Sequence, residues 1–171
     1  MKDELIKRLL EVGALKFGDF VLSSGKKSSV YVDIKLASTY PDVLEMIVRG
    51  FCGLLENLKF DKISCIELGG VPLAVALSLH LKKPYVIFRK EKKGYGLGGD
   101  RIGEVKEGER FVVVEDVVTT GKSALSTVRR VEEAGGIVVA VLAVVDREES
   151  EMVNLRSLIK LSELLEAKDR G

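Results

Sequence analysis

Two acidic residues followed by a hydroxyl-rich turn are the part of this sequence best suited to chemistry. Glu115 and Asp116 come at the end of an apolar run that begins at Phe111. Adjacent carboxylates repel each other and are costly to bury, so a cation or a set of hydroxyl groups must offset them. A sugar diol, a magnesium ion or a nearby basic side chain would each serve.

The five residues of the turn, 119–123, read TTGKS and open a predicted helix. Their hydroxyls, the free main-chain N–H groups and the positive end of the helix dipole together suit a phosphate. One ligand that satisfies both the acids and this turn carries a diol and a phosphate, as a ribose 5-phosphate does. The spacing alone leaves a second interpretation open, an acidic strand end followed by an ordinary Ser/Thr helix cap.

Other apparent motifs fit less well. Gly94, Gly96 and Gly99 match G-x-G-x-x-G, but no helix is predicted after them, as a dinucleotide-binding motif requires. The GKS at the end of the turn resembles part of a P-loop, but Asp116 stands where the first glycine should be. One His and two scattered Cys give no convincing zinc site.

The elements that must position these residues alternate between helix and strand. Helical periodicity predicts helices over 1–13, 41–58, 71–81 and 122–134 and from 162, and apolar runs predict strands over 62–67, 84–88, 111–114, 137–145 and 155–159. The charged, glycine-rich stretch 89–108 is predicted to be a long loop, and a loop of that length in a compact domain is usually functional or mobile. Continuous apolar strands between helices predict an α/β fold with a central, mainly parallel sheet flanked by helices.

Composition limits the function. The 171 residues fit a single domain, with 46% hydrophobic and 31% charged residues. A net charge of +1 argues against a nucleic-acid binder. The apolar runs are too short to span a membrane, and the acidic residues of the first helix argue against a secretory signal. We therefore expect a cytoplasmic protein that binds neither nucleic acid nor membrane.

The segment 111–123, FVVVEDVVTTGKS, strongly resembles the phosphoribosyl pyrophosphate motif of type I phosphoribosyltransferases. Three flanking segments narrow the resemblance to the orotate phosphoribosyltransferases. Residues 13–29 are similar to their N-terminal signature, 88–96 to their mobile catalytic loop, and 145–149 to the segment that meets the orotate carboxylate. The resemblance covers nearly the whole chain. It implies the type I fold with a small N-terminal hood, Mg²⁺ held mainly by the substrate, and a homodimer with sites shared across the interface.

The resemblance also implies roles for individual residues. Glu115 and Asp116 would bind the ribose hydroxyls and favour positive charge on the sugar, and Lys93 would be a third catalytic residue. The residues implied to bind phosphoribosyl pyrophosphate are Arg89, Lys90, Lys93, Tyr95, Glu115, Asp116, Val117, Val118, Thr119, Thr120, Gly121, Lys122 and Ser123. Those implied to bind orotate are Thr119, Arg147, Tyr31 and Val32.

The physical properties of the loop and of Arg147 agree with these roles. Basic residues at 89, 90, 92 and 93 supply donors for a pyrophosphate leaving group, although without an anion they are only a solvated run. The planar guanidinium of Arg147 suits a carboxylate, although the residue could be only a surface charge. Glycines in the loop would let it close and exclude water.

The sequence departs from the family pattern at three positions. Ser23 and Gly69 stand where some members have lysine, and Tyr95 stands where many have histidine. The ligands expected at 23 and 69 are therefore in doubt, and Tyr95 is assigned to positioning only. Two rival functions stay open: a phosphoribosyltransferase for another base, and a non-catalytic, ligand-sensing regulator with the same fold.

Overall fold

Six strands form the central sheet of the protein, for which a computed structural model describes residues 1–93 and 99–171, with the main chain alone at 92 and 93. The helices are α1 (Lys2–Glu11), α2 (Ile34–Ala37), α3 (Pro41–Leu54), α4 (Val71–Leu81), α5 (Lys122–Glu133) and α6 (Leu161–Arg170). The strands are β1 (Leu15–Val21), β2 (Lys27–Val32), β3 (Lys62–Ile66), β4 (Tyr85–Lys93), β5 (Gly99–Ile102), β6 (Arg110–Val118), β7 (Ile137–Asp146) and β8 (Leu155–Lys160).

The central sheet has the strand order β5-β4-β3-β6-β7-β8, and all pairs but β4–β5 are parallel. Its apolar strands are covered on both faces, which confirms the predicted mainly parallel sheet flanked by helices. Val112 and Val114 face the large core formed with α1, α3, α4 and α6, whereas Phe111 and Val113 face α5. This alternation along β6 decides where the next residues of the strand point.

The cleft of the protein begins near the end of β6, where the pairing of β6 with β3 ends earlier along the strand than its pairing with β7. Strand β6 pairs with β3 only as far as Val113, opposite Ser64, but pairs with β7 up to Val118, opposite Asp146. The last five residues of β6 therefore have a strand neighbour on one side only. Ligands of open parallel sheets bind at such carboxyl ends.

A two-stranded antiparallel sheet, β1–β2, and the short helix α2 form the N-terminal hood. Asp33 fixes its last turn, because its carboxylate accepts from Leu36 N at 3.0 Å and from Lys16 Nζ at 2.7 Å. The main chain of Asp33 also donates to Ala14 O over 2.6 Å. The buried Ile34 and Ala37 then anchor α2 in the main core.

Two of the predicted elements were wrong in their extent. The helix predicted over 41–58 ends at Leu54, and Asn57 takes a positive φ of 65° in the turn that follows. The stretch 89–108 is not one long loop, because β4 continues to Lys93 and β5 pairs with it, Phe88 opposite Arg101 and Lys93 opposite Gly99. After Phe88, β4 has only β5 as a strand neighbour, and the charged residues of this hairpin lack the apolar alternation by which a strand is recognised.

The strand predicted to end before the acidic pair also proved longer. Strand β6 runs to Val118, so Glu115 and Asp116 lie within it and keep its alternation. Among the described residues, no helix is both long and apolar enough to cross a bilayer.

Candidate active site

A cleft of about 510 Å³ lies at the carboxyl end of the sheet and collects most of the predicted site. Its walls come from the end of β6 and the start of α5, from the turn before α4, and from the hood. The described residues that line it are Ser23, Ser24, Lys35, Ile66, Glu67, Leu68, Gly69, Lys90, Glu115, Asp116, Val117, Val118, Thr119, Thr120, Gly121, Lys122, Ser123, Ala124 and Ser126. The acids and the TTGKS turn thus share one cleft, as their spacing predicted.

Glu115 and Asp116 point to opposite faces of β6, because side chains alternate along a strand. Glu115 lies on the α5 side, where Ser123 Oγ is 3.4 Å from its Oε1. Asp116 lies on the other side, beside Gly69 and Lys35. The two carboxylates therefore have different surroundings, although they are neighbours in sequence.

Glu115 is 5% exposed, and burial raises the pKa of its carboxyl to about 8, with a further rise from the charge of Asp116. The hydrogen bond from Ser123 and the charge of Lys35 act in the opposite direction but are outweighed. At neutral pH the free protein therefore holds a proton on Glu115. A cation or a hydroxyl that enters the cleft would favour loss of this proton.

Asp116 packs against the main chain of Gly69. A Cβ atom at position 69 would lie 2.1 Å from Asp116 Oδ2, which is far inside van der Waals contact. Glycine is therefore required beside this carboxylate. On its open side, Asp116 Oδ2 is 3.5 Å from Lys35 Nζ.

The TTGKS turn has the geometry of an anion pocket. Gly121 takes a φ of +89° as the N-cap of α5, and a side chain there would also meet Met152 Sδ at 3.0 Å. The first N–H groups of a helix have no acceptor within it, so those that follow Gly121 are free to meet a phosphate. Thr119 is nearly buried, whereas Thr120, Lys122 and Ser123 are exposed to the cleft.

The basic residues of β4 are only partly described. Lys90 lines the cleft, and its main-chain N–H donates to Glu67 Oε2 at 3.0 Å. Arg89 is half-buried, and its carbonyl accepts from Arg130 Nη1 of α5 at 2.5 Å. The main chain of Lys93 continues β4, and Tyr95 lies outside the described residues. Their predicted contacts with pyrophosphate stay predictions.

Arg130 holds both sides of the β4–β5 hairpin. Besides its bond to Arg89 O, its Nη2 is 3.6 Å from Asp100 Oδ2 on β5. Its guanidinium also lies 5.3 Å from the centre of the Phe88 ring. Helix α5, which begins at the TTGKS turn, therefore also holds Arg89, the first residue of the basic segment 89–93, in place.

Arg147, predicted to meet a carboxylate, makes its contacts with the hood. Its Nη1 donates to Val30 O at 3.1 Å, and its Nη2 donates to Ser28 Oγ at 3.0 Å. Glu149 Oε2 is 4.0 Å from Nε and also bonds Lys26 through its other oxygen. Arg147 is 8% exposed, and Nε is buried without a hydrogen-bond partner. The residue is thus not a free surface charge, and its contact with orotate stays a prediction.

The two hood residues predicted to line the base pocket differ from each other. Tyr31 is half-buried and stacks against Phe20, with ring centres 5.4 Å apart. Val32 is 4% exposed and belongs to the main core. Any contact of Val32 with a base would therefore involve its main chain rather than its side chain.

Three residues of the site were not found by sequence reasoning: Lys35, Glu67 and Arg130. None of the three belongs to a recognised motif: Lys35 lies in α2, Glu67 in the turn after β3, and Arg130 near the end of α5. The unusual pair of glycines at 69 and 70, before a helix-starting proline, was the only local signal near Glu67.

Comparison with known proteins agrees with this geometry. Residues 45–167 match the phosphoribosyl transferase domain family. An orotate phosphoribosyltransferase of Archaeoglobus fulgidus is 70% identical over 99% of this chain and 94% of its own length. The crystal structure of the enzyme of that name from Aeropyrum pernix is 34% identical, with a TM-score of 0.81 over 98% of this chain and 99% of that one.

A third match comes from a structure with a ligand. The crystal structure of Mycobacterium tuberculosis orotate phosphoribosyltransferase in complex with phosphoribosyl pyrophosphate is 29% identical, with a TM-score of 0.76 over 95% of this chain and 98% of that one. High identity over nearly the full length, the match to the family model and the same fold lead to one assignment: this chain belongs to the orotate phosphoribosyltransferases, within the type I phosphoribosyltransferase fold.

Proposed function

We propose that this chain transfers the phosphoribosyl group of 5-phosphoribosyl 1-pyrophosphate to orotate, giving orotidine 5-monophosphate and pyrophosphate in pyrimidine synthesis. The observation that carries the proposal is the shared cleft of the acidic pair and the TTGKS turn. The names of the relatives that match along nearly the full length supply the base, orotate.

Different residues of the cleft bind the 5-phosphate, the ribose and the pyrophosphate. The N–H groups and hydroxyls of the turn hold the 5-phosphate, which fixes the sugar over the end of β6. Asp116 and Glu115 bind the ribose hydroxyls and favour the positive charge that develops on the sugar as its bond to pyrophosphate breaks. Arg89, Lys90 and Lys93 meet the charge that develops on the leaving group. Orotate is already a usable nucleophile, so positioning and exclusion of water do most of the rest.

We further propose that Mg²⁺ enters with the sugar pyrophosphate. The donor set fits this ion, because Mg²⁺ prefers oxygen ligands and usually keeps waters while it binds one or two carboxylates and substrate phosphates. Asp116, which lines the cleft, is the carboxylate that would contact the ion. The ion would neutralise charge on the pyrophosphate, which is its chemical contribution.

The assembly and cellular setting of the enzyme are part of the same proposal. The whole chain would act as one phosphoribosyltransferase domain, in the cytoplasm, as a homodimer in which basic residues of one subunit reach the site of the other. Sedimentation of the purified protein would test the dimer. A mixture of Lys93→Ala and Asp116→Asn subunits would regain activity only if sites are shared.

A direct assay tests the reaction. Orotate absorbance is followed with phosphoribosyl pyrophosphate and Mg²⁺, and uracil, xanthine and hypoxanthine are supplied separately in place of orotate. Loss of orotate absorbance, with formation of orotidine 5-monophosphate, is the expected result. Turnover of another base alone would support the first rival, and tight ligand binding without turnover would support a regulator.

A further inference from the structure

Lys35 is a basic residue of the cleft to which no role has been assigned above. It is the second residue of α2, and its Nζ lies 3.5 Å from Asp116 Oδ2. Its side chain is 47% exposed and lines the same cleft as the acidic pair and the TTGKS turn. It therefore lies where a substrate that contacts Asp116 must pass.

The hood holds Lys35 in this place. The residues on either side in α2 include Ile34, 1% exposed, and Ala37, 0% exposed, and both belong to the main core. The helix is capped by Asp33, which Lys16 fixes in turn through a 2.7 Å ion pair. With its main chain anchored on both sides, Lys35 can direct its long side chain only over a short range.

Lys35 carries a positive charge in the free protein. Burial lowers its pKa, but the nearby Asp116 and the Tyr31 hydroxyl outweigh burial, and the pKa lies above the ordinary lysine value. An ammonium group has three donors, and the two groups that raise its pKa, Asp116 and Tyr31, can occupy at most two of them. A donor is left for a further acceptor in the cleft.

The main chain of Gly69, which packs against Asp116, explains why the basic partner of Asp116 comes from the hood. Gly69 stands where some members of the family have lysine, and a Cβ atom there would overlap Asp116 Oδ2. No side chain can therefore approach Asp116 from that position without moving it. Lys35 reaches the same carboxylate from the opposite wall of the cleft.

A purely structural role accounts poorly for this ion pair. An ion pair between a half-exposed lysine and a carboxylate 3.5 Å away contributes little to protein stability, because water screens the charges. The ammonium group of Lys35 would contribute more to the binding of a ligand that brings several negative charges into the cleft. A hydrogen bond between ionised groups is about twice as strong as one between neutral groups.

We propose that Lys35 is a further binding residue for phosphoribosyl pyrophosphate, which donates to an oxygen of the pyrophosphate group while it stays beside Asp116. In the free enzyme the residue balances the charge of Asp116. In the complex it supplies, from the hood, a cation for the leaving group. This inference rests on the proposed function, and Lys35 is not among the residues to which the family motifs assign a role.

The test compares Lys35→Gln and Lys35→Arg with Lys16→Ala. Lys16 also holds α2, through Asp33, but it does not line the cleft, so it controls for a loosened hood. Calorimetry would measure binding of phosphoribosyl pyrophosphate with Mg²⁺ in the absence of orotate, and kinetics would give KM for each substrate and the inhibition constant of pyrophosphate.

We expect Lys35→Gln to weaken binding of phosphoribosyl pyrophosphate and of pyrophosphate by about tenfold or more, as loss of one charge-assisted hydrogen bond implies. KM for orotate should change less than threefold, Lys35→Arg should restore most of the affinity, and Lys16→Ala should bind like the wild type. Unchanged binding in Lys35→Gln, or an equal loss in Lys16→Ala, would overturn the inference.

A second comparison separates contact with the substrate from mere balance of Asp116. In the Asp116→Asn background, Lys35→Gln should still weaken binding of pyrophosphate. If the effect of Lys35→Gln disappears in that background, Lys35 acts only on Asp116 and the inference is wrong. The wild type is measured in the same experiments: its failure to convert orotate would refute the proposed function, whereas normal wild-type turnover with unchanged Lys35→Gln would refute this inference alone.

Discussion

Arg147 donates a hydrogen bond from Nη1 to the main-chain carbonyl of Val30 over 3.1 Å, and thereby joins the end of β7 to the hood. The second bond, from Nη2 to Ser28 Oγ, keeps the guanidinium plane fixed. Nε is buried without a hydrogen-bond partner, so the group is held in place with one donor unsatisfied. A residue that connects the sheet to the hood can couple the position of the hood to a bound base.

Replacing Arg147 by Ala should therefore affect both the base and the hood. We expect kcat/KM for orotate to fall by about 100-fold or more, since the partner for a carboxylate is lost. Amide hydrogen exchange in β2 should also become faster. Arg156→Ala, which removes an arginine bond to Leu54 O far along the sheet, is the matched control. Unchanged kinetics in Arg147→Ala would show that Arg147 does not bind the orotate carboxylate.

Gly69→Ala should displace Asp116, because the new Cβ would lie 2.1 Å from its Oδ2. A small misplacement of a reacting group is costly, and we expect kcat/KM for phosphoribosyl pyrophosphate to fall by about tenfold or more. Gly53→Ala in α3 is the control, since a Cβ there meets nothing within 4 Å. It should keep full activity and gain up to about 1 kcal/mol in stability. Normal kinetics in Gly69→Ala would show that Asp116 can shift without cost.

Glu115 should make the stability of the free protein depend on pH. The pKa of its carboxyl is about 8 in the folded protein, above the ordinary value of 4.5 that applies to the unfolded chain. The folded state thus keeps a proton that the unfolded state releases. The stability that this carboxyl contributes is complete below pH 4.5 and is lost as the pH rises to about 8.

Urea unfolding across this pH range would measure the effect. Relative to Glu115→Gln, the wild type should lose on the order of a few kcal/mol in the free energy of unfolding between pH 4.5 and 8. Glu56→Gln, at an exposed position, should follow the wild type. Parallel curves for Glu115→Gln and the wild type would mean that the pKa of Glu115 is the same in the folded and unfolded states.

Arg130→Met should loosen the base of the β4–β5 hairpin. The change removes a charge-assisted bond to Arg89 O and leaves that carbonyl without its partner, which should cost about 1–3 kcal/mol in stability. We also expect a severalfold rise in KM for phosphoribosyl pyrophosphate with little change for orotate, since Arg89 and Lys90 would be held less firmly. The neighbouring Arg129→Met, at an exposed position of α5, is the control. An equal rise in both KM values would argue against a specific effect on the basic segment.

The local sequence determined the parts of this protein that lie within one short segment. The acids and the TTGKS turn could be placed in one pocket because they follow one another along a strand and the helix after it. The parallel sheet could be predicted because its strands are buried on both faces and are therefore apolar throughout. In these cases the pattern and the physical constraint concern the same residues.

The tertiary structure decided the contacts that depend on distant segments. Because β6 is longer than predicted, Glu115 and Asp116 lie on opposite faces of the sheet. Glu115 is buried and its pKa is raised to about 8, whereas Asp116 lies beside Lys35 in the cleft. The β4–β5 hairpin was missed because its residues at the edge of the sheet are charged, so that only the pairing of the two strands identifies them as strands.

The hood brings Lys35 to Asp116, 81 positions away, and Val30 to Arg147, 117 positions away. Such contacts leave no periodic trace in the chain, because the residues around a lysine or an arginine do not show which distant segment will pack against it. The pairing is fixed only when packing of Ile34 and Ala37 into the core sets the position of α2 over the end of the sheet.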